Sequence, residues 1–286
     1  MIPRPDVSPN NERIVSVENV KFSYDGGVQA LSGVTLNLKS GEYVAIVGGN
    51  GSGKTTLAKM LNGLLKPTSG SVVVRGKPTV DQSVAELARY VGYAFQNPDH
   101  QLFCPTVEEE VRFGPHNLGF EGHDLSRRVE RAVETMRLTQ FMRKPPLSLT
   151  LGERRRISIA SVIAMDPEML ILDEPTTGLD STETDDLMSS IERLNREGKT
   201  IVLITHDMRL VAKHAKRVVV MSAGRIVLDT DPRGAFSDLD LLRSSSMLPP
   251  PVVILAQRLK KYGLTGEALS PEELLYLAFS GRGGPP

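Results

Sequence analysis

What the chain has little of narrows the field first. It contains a single cysteine, Cys104, so no disulfide can form within it, which suits a reducing compartment. It carries no excess of charge: Lys and Arg number 34 and Asp and Glu number 34 across 286 residues. Nothing in that balance asks for nucleic acid or for an anionic membrane surface. No apolar run approaches the ~18 residues of a membrane-spanning helix, and the N-terminus shows no signal-peptide core. No internal repeat is visible. The hydrophobic fraction of 40% is ordinary for a globular chain, and the length suits one large or two modest domains. The expectation so far is a soluble, cytoplasmic α/β protein.

What is present is a glycine-rich run, Gly48-Gly49-Asn50-Gly51-Ser52-Gly53-Lys54-Thr55-Thr56, which fits G-x-x-x-x-G-K-[ST]. The apolar segment Tyr43-Val44-Ala45-Ile46-Val47 before it reads as a buried strand. Leu57 to Leu64 after it has helical spacing. Strand, glycine loop, helix is the context in which this pattern binds nucleotide phosphates. Glycines let backbone N–H groups turn toward phosphate oxygens without a Cβ in the way. The helix N-terminus adds partial positive charge. Lys54 supplies a mobile cation for the β- and γ-phosphates, and Thr55 offers a hydroxyl to Mg²⁺.

Around this loop the chain alternates. Residues 1–12 hold three prolines and no periodicity and read as a disordered lead. Ile14 to Val20 and Val34 to Leu38 alternate as half-buried strands. From about residue 81 to 165 the spacing is mostly helical, with Val129, Val133, Met136 and Phe141 near one face, and a polar, proline-broken stretch at Gln96 to Gln101. This reads as a helical insertion. Met169 to Leu172 and Ile201 to Ile204 are apolar strands separated by a helix over Thr182 to Glu197, and Val218 to Leu228 reads as a hairpin. A mostly parallel sheet with helices on its faces follows, joined to an antiparallel β-subdomain. Residues 13–240 form that domain and 241–286 a small helical extension. In the extension Val252, Leu255, Leu259 and Tyr262 lie on one face, and Ser270-Pro271-Glu272-Glu273 caps a last helix.

Asp173-Glu174 ends an apolar strand. Asp173 suits a Mg²⁺ ligand and Glu174 a general base for an attacking water. His206, after the next strand, can reach the γ-phosphate and that water. The Gln96 amide can reach the metal or the water. Tyr24 is placed to stack on a base; a strand-end tyrosine packed on its own sheet fits the residues equally well. Thr150 and Glu153 form a capping box, and the free N–H groups of the helix it starts make a second anion site.

Together these pieces resemble the ATP-binding cassette (ABC) ATPases over roughly residues 13–235. The resemblance rests on Tyr24, the phosphate loop, Gln96, the region 149–153, Asp173-Glu174, the loop Gly178-Leu179-Asp180 and His206, in that order. It implies ATP and Mg²⁺ as cofactors, with Thr55, Gln96 and Asp173 around the metal and Glu174, His206 and Gln96 in catalysis. It also implies two cassettes paired head to tail, identical or not. The signature residues Thr150, Leu151, Gly152 and Glu153 then act on the partner's nucleotide, with Asp180 in the loop between subunits.

The run Tyr93 to Phe103, the run Thr106 to Pro115 and the C-terminal segment around Leu255-Ala256-Gln257-Arg258-Leu259 are similar to cassettes of energy-coupling-factor (ECF) importers, which include cobalt and nickel transporters. That likeness implies a membrane T component, a small substrate-binding S component, uptake of vitamins or metal ions, a peripheral place on the cytoplasmic face of the cell membrane, and an extension that can serve dimerisation. One departure stands out. The family signature is usually Leu-Ser-Gly-Gly-Gln, whereas here it is Leu149-Thr150-Leu151-Gly152-Glu153. ATP binding with slowed hydrolysis at that half-site is the expected consequence. Two other readings fit the same motifs: a cassette of another ABC importer, and a regulatory ATP switch.

Overall fold

The computed structural model describes residues 13–280; the lead at 1–12 lies outside them. The chain opens with two long strands, β1 (Arg13–Ser23) and β2 (Gln29–Lys39), then enters the short strand β3 (Tyr43–Val47) and helix α1 (Lys54–Leu61). Strands β4 (Ser69–Val74) and β5 (Lys77–Pro78), one turn of helix α2 (Val84–Leu87) and strand β6 (Val91–Ala94) follow. Three helices come next: α3 (Val107–Asn117), α4 (Gly122–Thr135) and α5 (Leu151–Ala164). Strand β7 (Met169–Asp173), helix α6 (Ser181–Arg196), strand β8 (Thr200–Ile204), helix α7 (Met208–His214) and the hairpin β9 (Arg217–Ser222) and β10 (Arg225–Thr230) complete the core. The tail is helical: α8 (Pro232–Ser237), α9 (Leu239–Ser244), α10 (Pro251–Leu259) and α11 (Pro271–Ser280).

Two sheets result. One is antiparallel, in the order β2-β1-β4-β5; the other runs β10-β9-β3-β8-β7-β6 and is parallel except for β10 at its edge. Every residue of β3, β7 and β8 is buried, because a parallel strand covered on both faces is apolar throughout rather than alternating. A first core cluster lies around α1 between the two sheets, with Ile14, Val17, Leu36, Ile46, Leu57 and Met60. Each such fully buried aliphatic side chain contributes roughly 1.5–3 kcal/mol. A second cluster packs α3, α4, α5 and α6 on the other face. A third joins Ala45, Val47 and Val220 to Phe236, Leu242 and Met247 of the tail.

Three expectations need correction. The stretch 81–165 is not one helical insertion, because β6 pairs in parallel with β7, Val91 opposite Met169 and Ala94 opposite Leu172. Helix α5 presses on that strand: a Cβ on Gly92 would sit 2.4 Å from Val162 Cγ1. The strand is only four residues long and contains glycine, so its local pattern is too short to announce it. Second, α4 ends at Thr135 and Arg137 takes a positive φ of 54°, so Phe141 lies beyond the helix in a separate turn. Third, α10 buries Val253 and Ala256 rather than the expected face; Leu255 is 48% and Tyr262 77% exposed. Tyr262 falls past the end of α10, in a tight 3₁₀ turn, so it does not continue the helical spacing.

Candidate functional site

The carboxyl ends of β3, β7, β8 and β6 meet along one edge of the parallel sheet, with Ile46 opposite Ile204, Asp173 opposite Ile204 and Ala94 opposite Leu172. Ligands of open α/β sheets bind outside such an edge. Residues 48, 96, 173, 174 and 206 all stand there.

The glycine loop connects β3 to α1. Gly48 has φ 149° and a Cβ on it would lie 2.2 Å from Met221 O. Gly53 has φ 102°, and its Cβ would lie 2.7 Å from Ala30 O. Both positions exclude a side chain. Gly51 also takes a positive φ, 75°. Lys54 folds back over the loop: Nζ donates to Gly48 O at 2.8 Å, to Gly49 O at 2.9 Å and to Ser52 Oγ at 3.4 Å. Burial pushes its pKa down, and the carboxylates of Glu174 and Asp173 pull it back up. Gly49 N–H donates to Ser245 O at 3.0 Å, so the tail beyond α9 touches the loop directly. Ser52 is buried beside Lys54.

Thr55 Oγ1 donates to Asp173 Oδ2 at 3.0 Å. The Tyr93 phenol donates to the same oxygen at 2.7 Å. Asp173 is 2% exposed. Hydroxyl and carboxylate are the hard oxygen donors that Mg²⁺ takes, usually alongside waters and substrate phosphates. Among the described residues no cluster of three or more His, Cys, Asp or Glu could hold a metal ion. Gln96, the third expected ligand, is exposed after β6, and no hydrogen bond joins its amide to Thr55 or Asp173.

Glu174 begins the turn after β7 with φ 48°, a left-handed conformation that costs a non-glycine residue roughly 1–2 kcal/mol. Its N–H donates to Ile204 O at 2.8 Å, which fixes the turn against β8. Glu174 Oε1 lies 2.7 Å from His206 Nδ1. Tyr24 hydroxyl and Thr56 Oγ1 are 3.1 Å apart, and Tyr24 packs edge-on against Phe22 while staying 41% exposed. It therefore stands beside the loop helix, partly exposed.

The second anion site differs from the simple expectation. Thr150 caps α5, accepting from Glu153 N–H at 3.2 Å, while Thr150 N–H donates to Glu153 Oε2 at 2.8 Å. The Glu153 carboxylate thus already sits on the helix start. A Cβ on Gly178 would lie 2.6 Å from Leu151 Cδ2, and one on Gly152 2.2 Å from Glu183 Oε1. Asp180 caps α6 through Glu183 N–H at 2.8 Å. The region 150–153 and the loop before Asp180 are therefore packed together, while the hydrogen bonds of Thr150 with Glu153 and of Asp180 with Glu183 stay within their own helix starts.

Two functional positions were not evident from the sequence. Tyr93 is one. The other is Arg155, 3% exposed on α5: its guanidinium donates to Phe95 O at 3.1 Å, to Gln96 O, and to Thr177 O at 3.4 Å. It ties the Gln96 loop to the turn after Glu174. Gln101 adds a second tie, donating to Ser158 O at 2.7 Å and Ser161 Oγ at 3.0 Å. An aromatic in an apolar strand and an arginine in a basic run carry no signal until the fold brings their partners in.

Comparison with known proteins agrees with this geometry. A profile of the ABC transporter family matches residues 31–177. The chain is 45% identical over 256 residues to a putative ABC transporter ATP-binding protein of Caldanaerobacter subterraneus subsp. tengcongensis, covering 90% of this chain and 45% of that protein. It therefore spans less than half the length of that relative. It is 41% identical over 250 residues to an energy-coupling factor transporter ATP-binding protein of Methanococcus maripaludis, covering 87% of this chain and 90% of that one. Among solved structures, CbiO1 from Clostridium perfringens, part of the ABC transporter complex cbiONQ, superposes with a TM-score of 0.73 at 36% identity, covering 88% of this chain and 98% of its own. The ATP-binding cassette MJ0796, as a dimer in a post-hydrolysis state bound to ADP and Pi, superposes with a TM-score of 0.69 at 30% identity, over 77% and 99%. With its glycine loop, carboxylate pair and matching fold, this chain belongs to the ABC transporter family as an ATP-binding cassette that hydrolyses ATP in support of transport.

Proposed function

We propose that this cassette powers an energy-coupling-factor importer for vitamins or for transition-metal ions such as cobalt and nickel. The observation that carries the reading is the meeting of two pairs, Thr55 with Asp173 and Glu174 with His206, at one sheet edge, in a chain that spans 90% of an energy-coupling-factor relative. Loop N–H groups and Lys54 hold the β- and γ-phosphates. Thr55 and Asp173 hold Mg²⁺, which offsets phosphate charge when bound; Gln96 reaches that site by moving with its loop. Glu174, oriented by His206, accepts the proton of the attacking water, giving ADP and phosphate. Tyr24 offers its partly exposed ring to the base.

A second cassette, identical or not, completes each site, because residues 150–153 bond away from the phosphate loop of their own chain. Asp180 lies at that joint. No helix among the described residues is long and apolar enough to cross a membrane; in this reading a membrane T component and a substrate-binding S component hold the cassette at the cytoplasmic face. The T component docks on the helices beyond β6, where Phe103 and Phe113 meet edge-on at 4.8 Å and are 64% and 47% exposed. A helix-in-groove contact uses such apolar anchors. The test is to extract the tagged chain from native membranes in mild detergent and identify what accompanies it. A multi-spanning T-type protein and a small S-type protein are expected; the permeases of another importer class in their place would refute the reading.

A regulatory, slowly hydrolysing role is the second reading. It is favoured by Glu153, whose carboxylate already occupies the helix start at which a partner's phosphate would sit.

A further inference from the structure

Tyr93 lies in the middle of β6, within the parallel sheet, and is 7% exposed. Its ring packs edge-on against Phe95 with centroids 4.9 Å apart and belongs to the core cluster around α1. For that packing a phenylalanine would serve. The hydroxyl is the part that needs explaining, since a buried hydroxyl is costly without a partner. Its partner is Asp173 Oδ2, 2.7 Å away and 80 residues along the chain.

The same oxygen accepts from Thr55 Oγ1 at 3.0 Å. Two donors from two elements, α1 and β6, therefore converge on one oxygen of one carboxylate and fix its rotation. A phenol facing a carboxylate is the donor of the pair, since the carboxylate has only acceptor oxygens. Tyr93 also stands on the strand that leads into Gln96, whose carbonyl is held by Arg155. A shift of that loop would pull on the phenol.

We propose that Tyr93 is a positioning residue for Mg²⁺: its hydroxyl holds the Asp173 carboxylate in the orientation that, with the Thr55 hydroxyl, receives the cation of MgATP. The proposal rests on the reading of Thr55 and Asp173 as the metal side of the nucleotide site. Tyr93 is buried and acts through Asp173. A carboxylate that has lost one of two charge-assisted bonds is free to rotate, so a bound cation must order it again.

The test is Tyr93→Phe, read by the affinity of a fluorescent ATP analogue in EDTA and across a Mg²⁺ titration. In EDTA the variant should bind as the parent does, because Lys54 and the loop N–H groups are unchanged. With Mg²⁺ its gain in affinity should fall about tenfold, equivalent to about 1.4 kcal/mol, and the half-saturating Mg²⁺ concentration should rise. A role confined to packing would lower the melting temperature without moving this Mg²⁺ term. In an Asp173→Asn background, Tyr93→Phe should add no further change to it, which separates the effect from any general loss of stability. An unchanged Mg²⁺ gain in Tyr93→Phe, an equal loss of affinity with and without Mg²⁺, or a full effect persisting in the Asp173→Asn background would each overturn the proposal. A parent protein whose nucleotide affinity ignores Mg²⁺ would instead refute the underlying site assignment, and this proposal with it.

Discussion

Glu174 Oε1 and His206 Nδ1 lie 2.7 Å apart, joined across the ends of neighbouring strands. The side chain of Glu174 is only 11% exposed and that of His206 69%. The buried partner is thus the candidate base, and the open partner is the one that can follow a nucleotide.

Replacing Glu174 with Gln should separate binding from hydrolysis. The amide keeps the shape and removes the charge that takes the proton. General-base assistance is typically worth ~10²–10⁴ in rate, so ATPase turnover should fall by about that factor while ATP binding survives. The ATP-bound dimer should accumulate, visible by size-exclusion chromatography. Parental turnover in Glu174→Gln would move the role to another group.

Lys54→Ala should abolish the stabilisation by MgATP. For a ligand at a hundred times its dissociation constant that stabilisation is about 2.7 kcal/mol. The readout is the ATP-induced melting shift, not the melting temperature itself, because the variant also loses its bonds to the carbonyls of Gly48 and Gly49. A shift equal to the parent's would count against Lys54 as a phosphate ligand.

Glu153→Gln should raise ATPase activity severalfold. Glutamine still serves the capping box with Thr150, so the helix start is preserved. What disappears is a negative charge at an anion site. Turnover at saturating MgATP, compared with melting temperature, checks it; a fall in turnover at unchanged stability would contradict it.

Cys104 should alkylate slowly at pH 8. Burial, reinforced by the Glu110 carboxylate, pushes its thiol up to about 11, and only the thiolate reacts. A raised pKa means less thiolate at any pH below it, so the rate should still climb steeply above about pH 10, where an ordinary thiol levels off. Iodoacetamide labelling followed by mass spectrometry gives the profile. A plateau by about pH 10 would show an ordinary thiol.

Much of this was legible in the sequence. The phosphate loop, the apolar strands β3, β7 and β8, and the capped helices α5 and α6 all carry their signals locally, in runs of buried residues or in Ser, Thr or Asp followed by Glu at the helix start. What escaped was set by distant pairing. Strand β6 is defined by β7, which follows it only after the intervening helices. The buried face of α10 was missed because neighbouring positions are apolar too, and the small Ala256 is the residue that turns inward. Tyr93 and Arg155 acquire roles only when Asp173, Gln96 and Thr177 arrive from elsewhere in the chain.

The bond from Gly49 N–H to Ser245 O bears on how the protein can be cut. Ser246, at φ 60°, packs so close that a Cβ on Gly49 would lie 3.0 Å from its own, and Met247 is sealed in the cluster that includes Ala45 and Val47. A chain shortened ahead of Ser245 would lose the acceptor for a loop amide and uncover the flank of β3 in one stroke. The segment up to Met247 therefore belongs with the glycine loop, and a version cut ahead of Ser245 would report on a damaged loop rather than on a minimal cassette.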